Sequence, residues 1–596
     1  MRQLVFLTLI LWLTSSLALG VLFCLTPFEA LAAAIRQPNY AAEYVAGPSV
    51  FTPGRYNVLR GGLLAVAAIS SVALLMLAKS GRRRMAPSRL RQEWGRGLQS
   101  LRRAWQQLNG GQRAVALALA GAALLTRAWL VIDYPITTDE LTSYDYYVRP
   151  GLAVTASSYS LPNNHLLYNL LVGALPGLGL PADVQQRLPA IIIGVMLLPI
   201  SYLLLLRYLR FGAATLALGL FTFAPMPAFY SIAGRGYGLQ LAAAMAGLFA
   251  TLALSGPGKH RLPWLVFVGA GVAGLYTVPT HFYILVVLGL ALLTGFGRQK
   301  GRQRRQQLCY LAVATLSIAT TTALLYSPVG AVSGWASLLH NPYVHSLSWA
   351  EFCQGFYNPY LLGAASQLWG QGKSSLLLLS GLSIAAGVGL RWVQQPARAL
   401  GWVCFGVVFG PLLLLVAQHV FVPARALLMV MLGSFILLAL LLREVSHRWW
   451  PLFRARWPEW WRGVYLGILV LIISLYGSYR LHREAAAMEA IAVQHEYLGR
   501  QYAWLWAQHP ARVWVDSLSR PYQGIYWYHL GLQKQQALPL VVTRALPSVA
   551  SGGGLEYAVF CRRGGLAPPP TLLARPPVYA DERIYIWQLP IQTPLQ

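Results

Sequence analysis

Residues 132–141 read Ile132-Asp133-Tyr134-Pro135-Ile136-Thr137-Thr138-Asp139-Glu140-Leu141. The stretch closes an apolar run, 114–133, and carries three of the chain's eighteen acidic residues. Roughly 20 apolar residues suffice for a helix to cross the bilayer hydrocarbon, so this acidic segment reads as the aqueous end of a membrane span. Working outward, thirteen such runs appear: 4–26, 61–78, 114–133, 188–206, 213–232, 237–254, 263–280, 283–297, 308–327, 374–390, 399–419, 425–442 and 463–479. The first run, preceded by Arg2, has a signal peptide as its alternative reading. The pair 263–280 and 283–297 is split only by Val278-Pro279-Thr280-His281, which predicts a tight hairpin or a re-entrant segment there.

Composition agrees. Of 596 residues, 56% are hydrophobic and only 11% charged, against about 25% charged in an ordinary globular domain. That excludes a conventional soluble enzyme and a disordered chain. The net charge of +29 would suit a nucleic-acid binder, but the cations fall between the apolar runs, where they set topology. Alternate loops carry Arg82 to Arg84 with Arg102 and Arg103, Arg207 and Arg210, Lys259 and Arg261, Arg298 to Arg305, Arg391 and Arg398, and Arg443 to Arg456. The intervening loops are poor in cations, and the positive-inside rule puts them outside. The N-terminus is then cytoplasmic and the C-terminus extracytoplasmic, in a multi-pass protein of a plasma (inner) membrane. No partner nucleic acid is expected.

This alternation divides the chain into two leading spans (1–79), a basic cytoplasmic linker (80–112), an eleven-span block (113–479) with outer loops 134–187 and 328–373, and an outer segment (480–596). The linker has the composition of a basic amphipathic helix on a membrane surface. The outer segment mixes a helical run, 482–508, with strand-like runs such as Arg512-Val513-Trp514-Val515, and reads as a small α/β domain. The five cysteines are scattered without a CxxC pair, which excludes a zinc-ribbon or thiol-redox framework. Cys353 and Cys561 share the outer side, and both pairing and separate thiols are open for them.

None of the acids sits mid-span. Ion-coupled transporters place ionisable groups near mid-membrane, so a pump or symporter is disfavoured, though a lipid flippase is not. Asp139 and Glu140 have two readings. A carboxylate here can serve as general base on a hydroxyl; alternatively Thr138 or Asp139 caps a helix that starts at Glu140. Four further clusters map to the same face: Pro162-Asn163-Asn164-His165, Gly234-Arg235-Gly236-Tyr237, Pro279-Thr280-His281-Phe282-Tyr283 and Val422-Pro423-Ala424-Arg425. Arg235 and Arg425 are lone cations there. They are either bidentate phosphate ligands or snorkelling anchors. His165 and His281 are either acceptor ligands or hydrogen-bonded loop histidines, and Tyr237 either binds substrate or packs. A metal site made of His165, His281, His340, His345 and Glu351 lacks any HxxxH-type spacing, so no cofactor is expected and a divalent metal is only the alternative.

In order and sidedness these segments resemble a family. Thr138-Asp139-Glu140, Ser160-Leu161-Pro162-Asn163-Asn164-His165-Leu166-Leu167-Tyr168, Ser231-Ile232-Ala233-Gly234-Arg235-Gly236-Tyr237 and Pro423-Ala424-Arg425 are similar to motifs of integral-membrane glycosyltransferases of the C-type fold, in the branch of protein O-mannosyltransferases and lipid A aminoarabinose transferases. The similarity spans roughly 113–530. Two departures stand out: the leading spans and linker, and Ala424 between Pro423 and Arg425 where relatives commonly show Pro-Arg. The resemblance implies a helical polytopic fold with a small C-terminal α/β domain. It implies a sugar donor on a polyprenyl phosphate, an acceptor hydroxyl on a lipid, glycan or protein, and inversion at the anomeric centre. Membrane lipids would be further partners. By the match, Asp139 would be the general base, Glu140 would orient Asp139 or the acceptor, and Arg235 and Arg425 would hold the departing phosphate. Asn164, His165, Tyr237 and His281 would line the acceptor or substrate side. No nucleotide-cradling GxGxxG or GxxxxGK[ST] loop stands in a strand–helix setting, as suits a lipid-linked donor. The competing class is a lipid-linked saccharide flippase or transporter, which would need polar groups at mid-depth or on both faces.

Overall fold

The computed structural model describes residues 2–36, 50–79, 87–175, 181–256, 261–297, 299, 301–339, 344, 346–370, 372–454, 461–516, 521–536, 538–543, 555–562 and 567–589. The architecture is a bundle of long apolar helices with a small sheet domain on one end. Among the described residues ten helices are long and apolar enough to cross a membrane. Three shorter apolar helices, Phe211–Phe223, Leu262–Thr277 and Ser380–Gly389, fill the other three expected positions.

The chain opens with α1 (Arg2–Leu25), α2 (Phe28–Arg36) and α3 (Pro53–Lys79). Helices α1 and α3 lie side by side. The Arg60 side chain donates to the carbonyls of Phe23, Cys24 and Thr26, closing the end of α1, whose last carbonyls have no helical partner. Next comes α4 (Pro87–Gln106), the expected basic helix, which is amphipathic and exposes Arg91, Arg96, Arg102 and Arg103. Its one acid, Glu93, accepts the backbone N–H groups of Arg261 and Leu262 and so caps a helix of the main bundle.

That bundle begins with α5 (Gly110–Asp133), started by an Asn109/Gln112 capping box. The acidic loop folds into α6 (Thr138–Ser143), a π-turn over Tyr144–Val148, α7 (Leu152–Ser157) and α8 (Leu166–Gly173). Then follow α9 (Ala182–Leu205), α10 (Phe211–Phe223), α11 (Pro225–Tyr230), α12 (Tyr237–Ser255), α13 (Leu262–Thr277), α14 (Phe282–Gly297), α15 (Gly301–Val332) and the short α16 (Ala336–Leu339). The run expected as one span over 213–232 is two helices. Pro225 lacks the N–H that would continue α10 and starts α11 instead. At Pro279–His281 a 3-10 turn separates α13 from α14, and both helices pack on α12 and α15, so they are two distinct bundle members.

The second half contains α17 (Trp349–Gly355), α18 (Leu362–Trp369), α19 (Gly372–Gly389), α20 (Ala397–Gln418), a 3-10 turn at Ala424–Leu427, α21 (Leu428–Arg454) and α22 (Trp461–Ala507). Helix α22 merges the expected span 463–479 with the expected helical run 482–508. No proline lies between Pro458 and Pro510, so nothing interrupts the hydrogen-bond ladder and the helix runs 47 residues straight through the anticipated boundary at 480. Cys353 is a free, exposed thiol, and no bridge to Cys561 forms.

The tail domain holds β1 (Val513–Asp516), α23 (Pro521–Lys534), β2 (Leu540–Thr543), β3 (Tyr557–Cys561), α24 (Pro570–Leu573), β4 (Tyr579–Ala580) and β5 (Ile584–Gln588). Strand order is β2-β1-β3-β5-β4; β1 is parallel to β2 and β3, and β5 is antiparallel to β3 and β4. A mixed sheet with α23 is the small α/β domain expected. Helix α23 of this domain packs on α6, and Leu141, Tyr146 and Tyr147 share a buried cluster with Val513, Val515, Ile525 and Trp527.

Candidate active site

The site assembles where α6, the 160–165 loop, the 231–237 segment and the start of α21 meet. Each comes from a separate stretch of chain. Helix α6 begins at Thr138, two residues before the Glu140 start of the capping alternative: Thr137, not Thr138 or Asp139, is the cap, and Glu140 closes the reciprocal box. The two adjacent acids then diverge.

Glu140 is fully buried. One carboxylate oxygen accepts from the Gly234 N–H at 2.7 Å and from Arg187 Nε at 2.9 Å. The other accepts from the Thr137 N–H at 2.8 Å, the Thr137 hydroxyl at 3.0 Å and Arg187 Nη2 at 3.1 Å. Burial alone would raise its proton affinity. The Arg187 guanidinium and the Gly234 and Thr137 hydrogen bonds outweigh burial and hold the carboxyl below its ordinary range. Every lone-pair direction is used, so Glu140 is a bolt joining α6, α9 and the 231–237 segment. Arg187 completes the bolt with bonds to the carbonyls of Tyr134 and Pro135.

Asp139 points the other way, its side chain 48% exposed. Its backbone carbonyl is gripped by Arg235 Nη1 and Asn163 Nδ2, both at 2.9 Å. Its carboxylate faces Arg235 Nη2 at 3.5 Å and Arg425 Nη2 at 4.0 Å. These are open ion pairs, longer than a charge-assisted hydrogen bond of 2.7–2.9 Å. Arg235 is only 2% exposed, with further bonds to Ser143 and Asn163. Arg425 donates from Nε to the Tyr237 hydroxyl at 2.8 Å. Both guanidinium groups lie over the Tyr237 ring, at 5.8 and 5.7 Å from its centroid. His165 meets that ring edge-on at 4.7 Å.

The sequence Gly234-Arg235-Gly236 has a steric reason. A Cβ at Gly234 would stand 2.5 Å from Gln186, and one at Gly236 would stand 2.5 Å from Thr277 and 2.8 Å from His165. Only glycine lets this segment press between α9, α13 and the 160–165 loop while delivering Arg235.

Asp139, Arg235, Arg425, Tyr237 and His165 are thus brought together. His165 is buried, and neither ring nitrogen has a hydrogen-bond partner among the described residues. Burial, with Arg235 and Arg425 nearby, drives the imidazole well below its ordinary value and leaves it neutral. Asn164 faces away from the cluster: it donates to the carbonyls of Thr155 and Ser158 and accepts from Asn169, tying down α7. Its neighbour Asn163 touches the cluster instead. His281 is buried against Gly274 of α13 and makes no hydrogen bond or ring contact with the cluster among the described residues. Among those residues no group of three or more His, Cys, Asp or Glu is placed to hold a metal ion; His340 and His345 lie outside them.

Two residues at this centre went unread in the sequence. Arg187 was visible only as one more cation on a cation-poor face, and its nearness to Glu140 is set by the α9 start. Asn163 stands beside Asn164 in its motif, but nothing in an Asn-Asn pair says which amide turns inward.

The fold is that of a polytopic C-type glycosyltransferase, with a small sheet domain attached. Among solved structures, the crystal structure of ArnT from Cupriavidus metallidurans bound to undecaprenyl phosphate is similar, with TM-score 0.52, 15% identity, and alignment over 79% of this chain and 97% of that one. ArnT from the same organism in the apo state gives TM-score 0.49 with the same identity and coverage. No protein-family model and no curated protein matches the sequence.

Proposed function

We propose that this chain is a membrane glycosyltransferase that moves a sugar from a polyprenyl-phosphate donor to an acceptor hydroxyl on the extracytoplasmic face, with inversion. The observation that carries this reading is the half-exposed Asp139 carboxylate standing 3.5 and 4.0 Å from two guanidinium groups. The fold likeness to ArnT, a protein crystallised with undecaprenyl phosphate, supports the donor class. The gathering of Asp139 with the polar clusters on one face supports an enzyme over a flippase, which would need polar groups at mid-depth or on both faces.

In the proposed reaction Asp139 accepts the proton of the acceptor hydroxyl. The hydroxyl oxygen bonds to the anomeric carbon from the face opposite the phosphate. The anomeric carbon–oxygen bond to phosphate breaks, and its electron pair leaves on the polyprenyl phosphate. Arg235 and Arg425 meet the charge that grows there, the type of electrostatic stabilisation that lowers a barrier most. A phosphate entering between the two guanidinium groups draws their donors to itself and leaves the Asp139 oxygens to the hydroxyl. Glu140 acts as a positioning residue, since its own oxygens are occupied. His165 and Tyr237 border the hollow on the substrate side. Asn164 and His281, turned toward α7 and α13, would shape the walls rather than touch the reacting groups.

The test is transfer in proteoliposomes with a panel of undecaprenyl-phosphate sugars supplied only from outside. Asp139→Asn is expected to insert normally, bind undecaprenyl phosphate and lose transfer. Wild-type turnover in that variant removes Asp139 as base. A requirement for donor on the inner side would favour the flippase.

A further inference from the structure

The tail domain does more than sit on the bundle. Helix α6 has only six residues, too few to be stable alone, and two buried carboxylates brace it. Glu140 bolts it to the membrane helices. Five residues on, Asp145 in the π-turn is 1% exposed and bonds His529 Nδ1 of α23 at 3.0 Å, with Arg149 at 2.9 Å as its second partner. His529 is itself 3% exposed. One pin would leave the helix free to pivot. A second pin about 7.5 Å along the axis, at 1.5 Å per residue, fixes its direction and so the bearing of Asp139. Tyr147, in the same buried cluster as Trp527 of the tail helix, extends the brace: its hydroxyl pairs with both the N–H and the carbonyl of Leu161 at 3.0 Å. Two residues later Asn163 grips Asp139 and Arg235.

We infer that the tail domain is a positioning element of the site, in which His529, acting through Asp145, holds the Asp139-bearing helix in register with Arg235. The inference rests on Asp139 being the reacting carboxylate. Such a role needs a direct link rather than mere coverage, and a buried carboxylate left without its partner is costly.

The test uses the full chain in nanodiscs and reads hydrogen exchange over residues 138–149 together with binding of undecaprenyl phosphate. His529→Ala is expected to speed exchange in that segment at least tenfold, leave α12 and α13 unchanged, and raise the Kd for undecaprenyl phosphate severalfold. His529→Asn, whose side-chain amide nitrogen can take the place of Nδ1 and still donate to Asp145, is expected to restore both readouts. Exchange within twofold of wild type in His529→Ala overturns the inference, as does equal acceleration in α12 and α13. Should His529→Ala not fold, Asp145→Asn is expected to give a smaller acceleration in the same segment, and none there overturns the inference. If the wild type does not bind undecaprenyl phosphate, the proposed function fails, while the exchange comparison still decides the positioning role.

Discussion

Around Glu140 the molecule is a dry knot; around Asp139, one residue away, it is an open hollow. The knot spends a fully buried carboxylate on three backbone or hydroxyl donors and one guanidinium. The hollow leaves a carboxylate half in solvent, at arm's length from two guanidinium groups. Both regions pair an acid with arginine on the same short helix. The difference lies in which partners are saturated. A saturated pair fixes structure, and an unsaturated one is free to exchange partners with a ligand. The knot exists so that the hollow has a shape.

Breaking the knot gives the largest expected effect. Glu140→Ala strands Arg187 without its counter-charge, and removing one partner of a buried pair costs about 3–5 kcal/mol. Thermal unfolding in detergent should show a lower transition and loss of undecaprenyl phosphate binding together. A variant as stable as wild type would mean the knot is not the scaffold. Emptying the hollow should leave the scaffold alone. Asp139→Asn is expected to keep the wild-type melting temperature while turnover falls about 100- to 10,000-fold, the span of general-base contributions. A falling melting temperature would blur the distinction between the two acids.

The arginines sharpen the contrast further. Arg425 has one hydrogen bond to Tyr237, so Arg425→Ala is expected to weaken undecaprenyl phosphate binding about tenfold or more, on the order of one charged hydrogen bond, with little change in stability. Arg235 serves both regions, because it grips the Asp139 carbonyl and Asn163. Arg235→Ala should therefore lose affinity and melting temperature together. The smallest effect is on acid stability. The folded-state proton affinity of Glu140 lies below the ordinary value, so its contribution is present above about pH 4.3, the unfolded carboxylate value, and is lost as pH falls through the lower folded value. A comparison of melting temperature against pH should show wild type and Glu140→Gln converging only in that acid window. Convergence already at neutral pH would contradict the sign.

Much of the bundle could be read from the sequence because hydropathy and the placement of arginines report one-dimensional facts: how long a run is and which loops are basic. All thirteen expected runs have an apolar helix in their place. The misreadings are local. Pro225 divides 213–232, and the run 463–479 continues into the tail because no proline stops it. Of the site, Asp139, Arg235, Arg425, Tyr237 and His165 were legible because each stands in a short polar island between apolar runs. Arg187 was not, since its partner Glu140 is 47 residues away and α9 alone gives no hint of it. Asn163 and Asn164 differ only in which way the loop turns each amide. Asp145 and His529 are 384 residues apart, and no spacing rule links a π-turn to a helix of another domain.

Helix α22 carries the tail domain without a joint. At 1.5 Å per residue its 47 residues reach about 70 Å, more than twice the roughly 30 Å of hydrocarbon. A jointless stalk transmits angle as faithfully as height. One residue inserted into its exposed middle would rotate everything above by about 100° and carry His529 around the axis away from Asp145. The phase of a single long helix thus helps set how α23 meets the acidic turn beneath it.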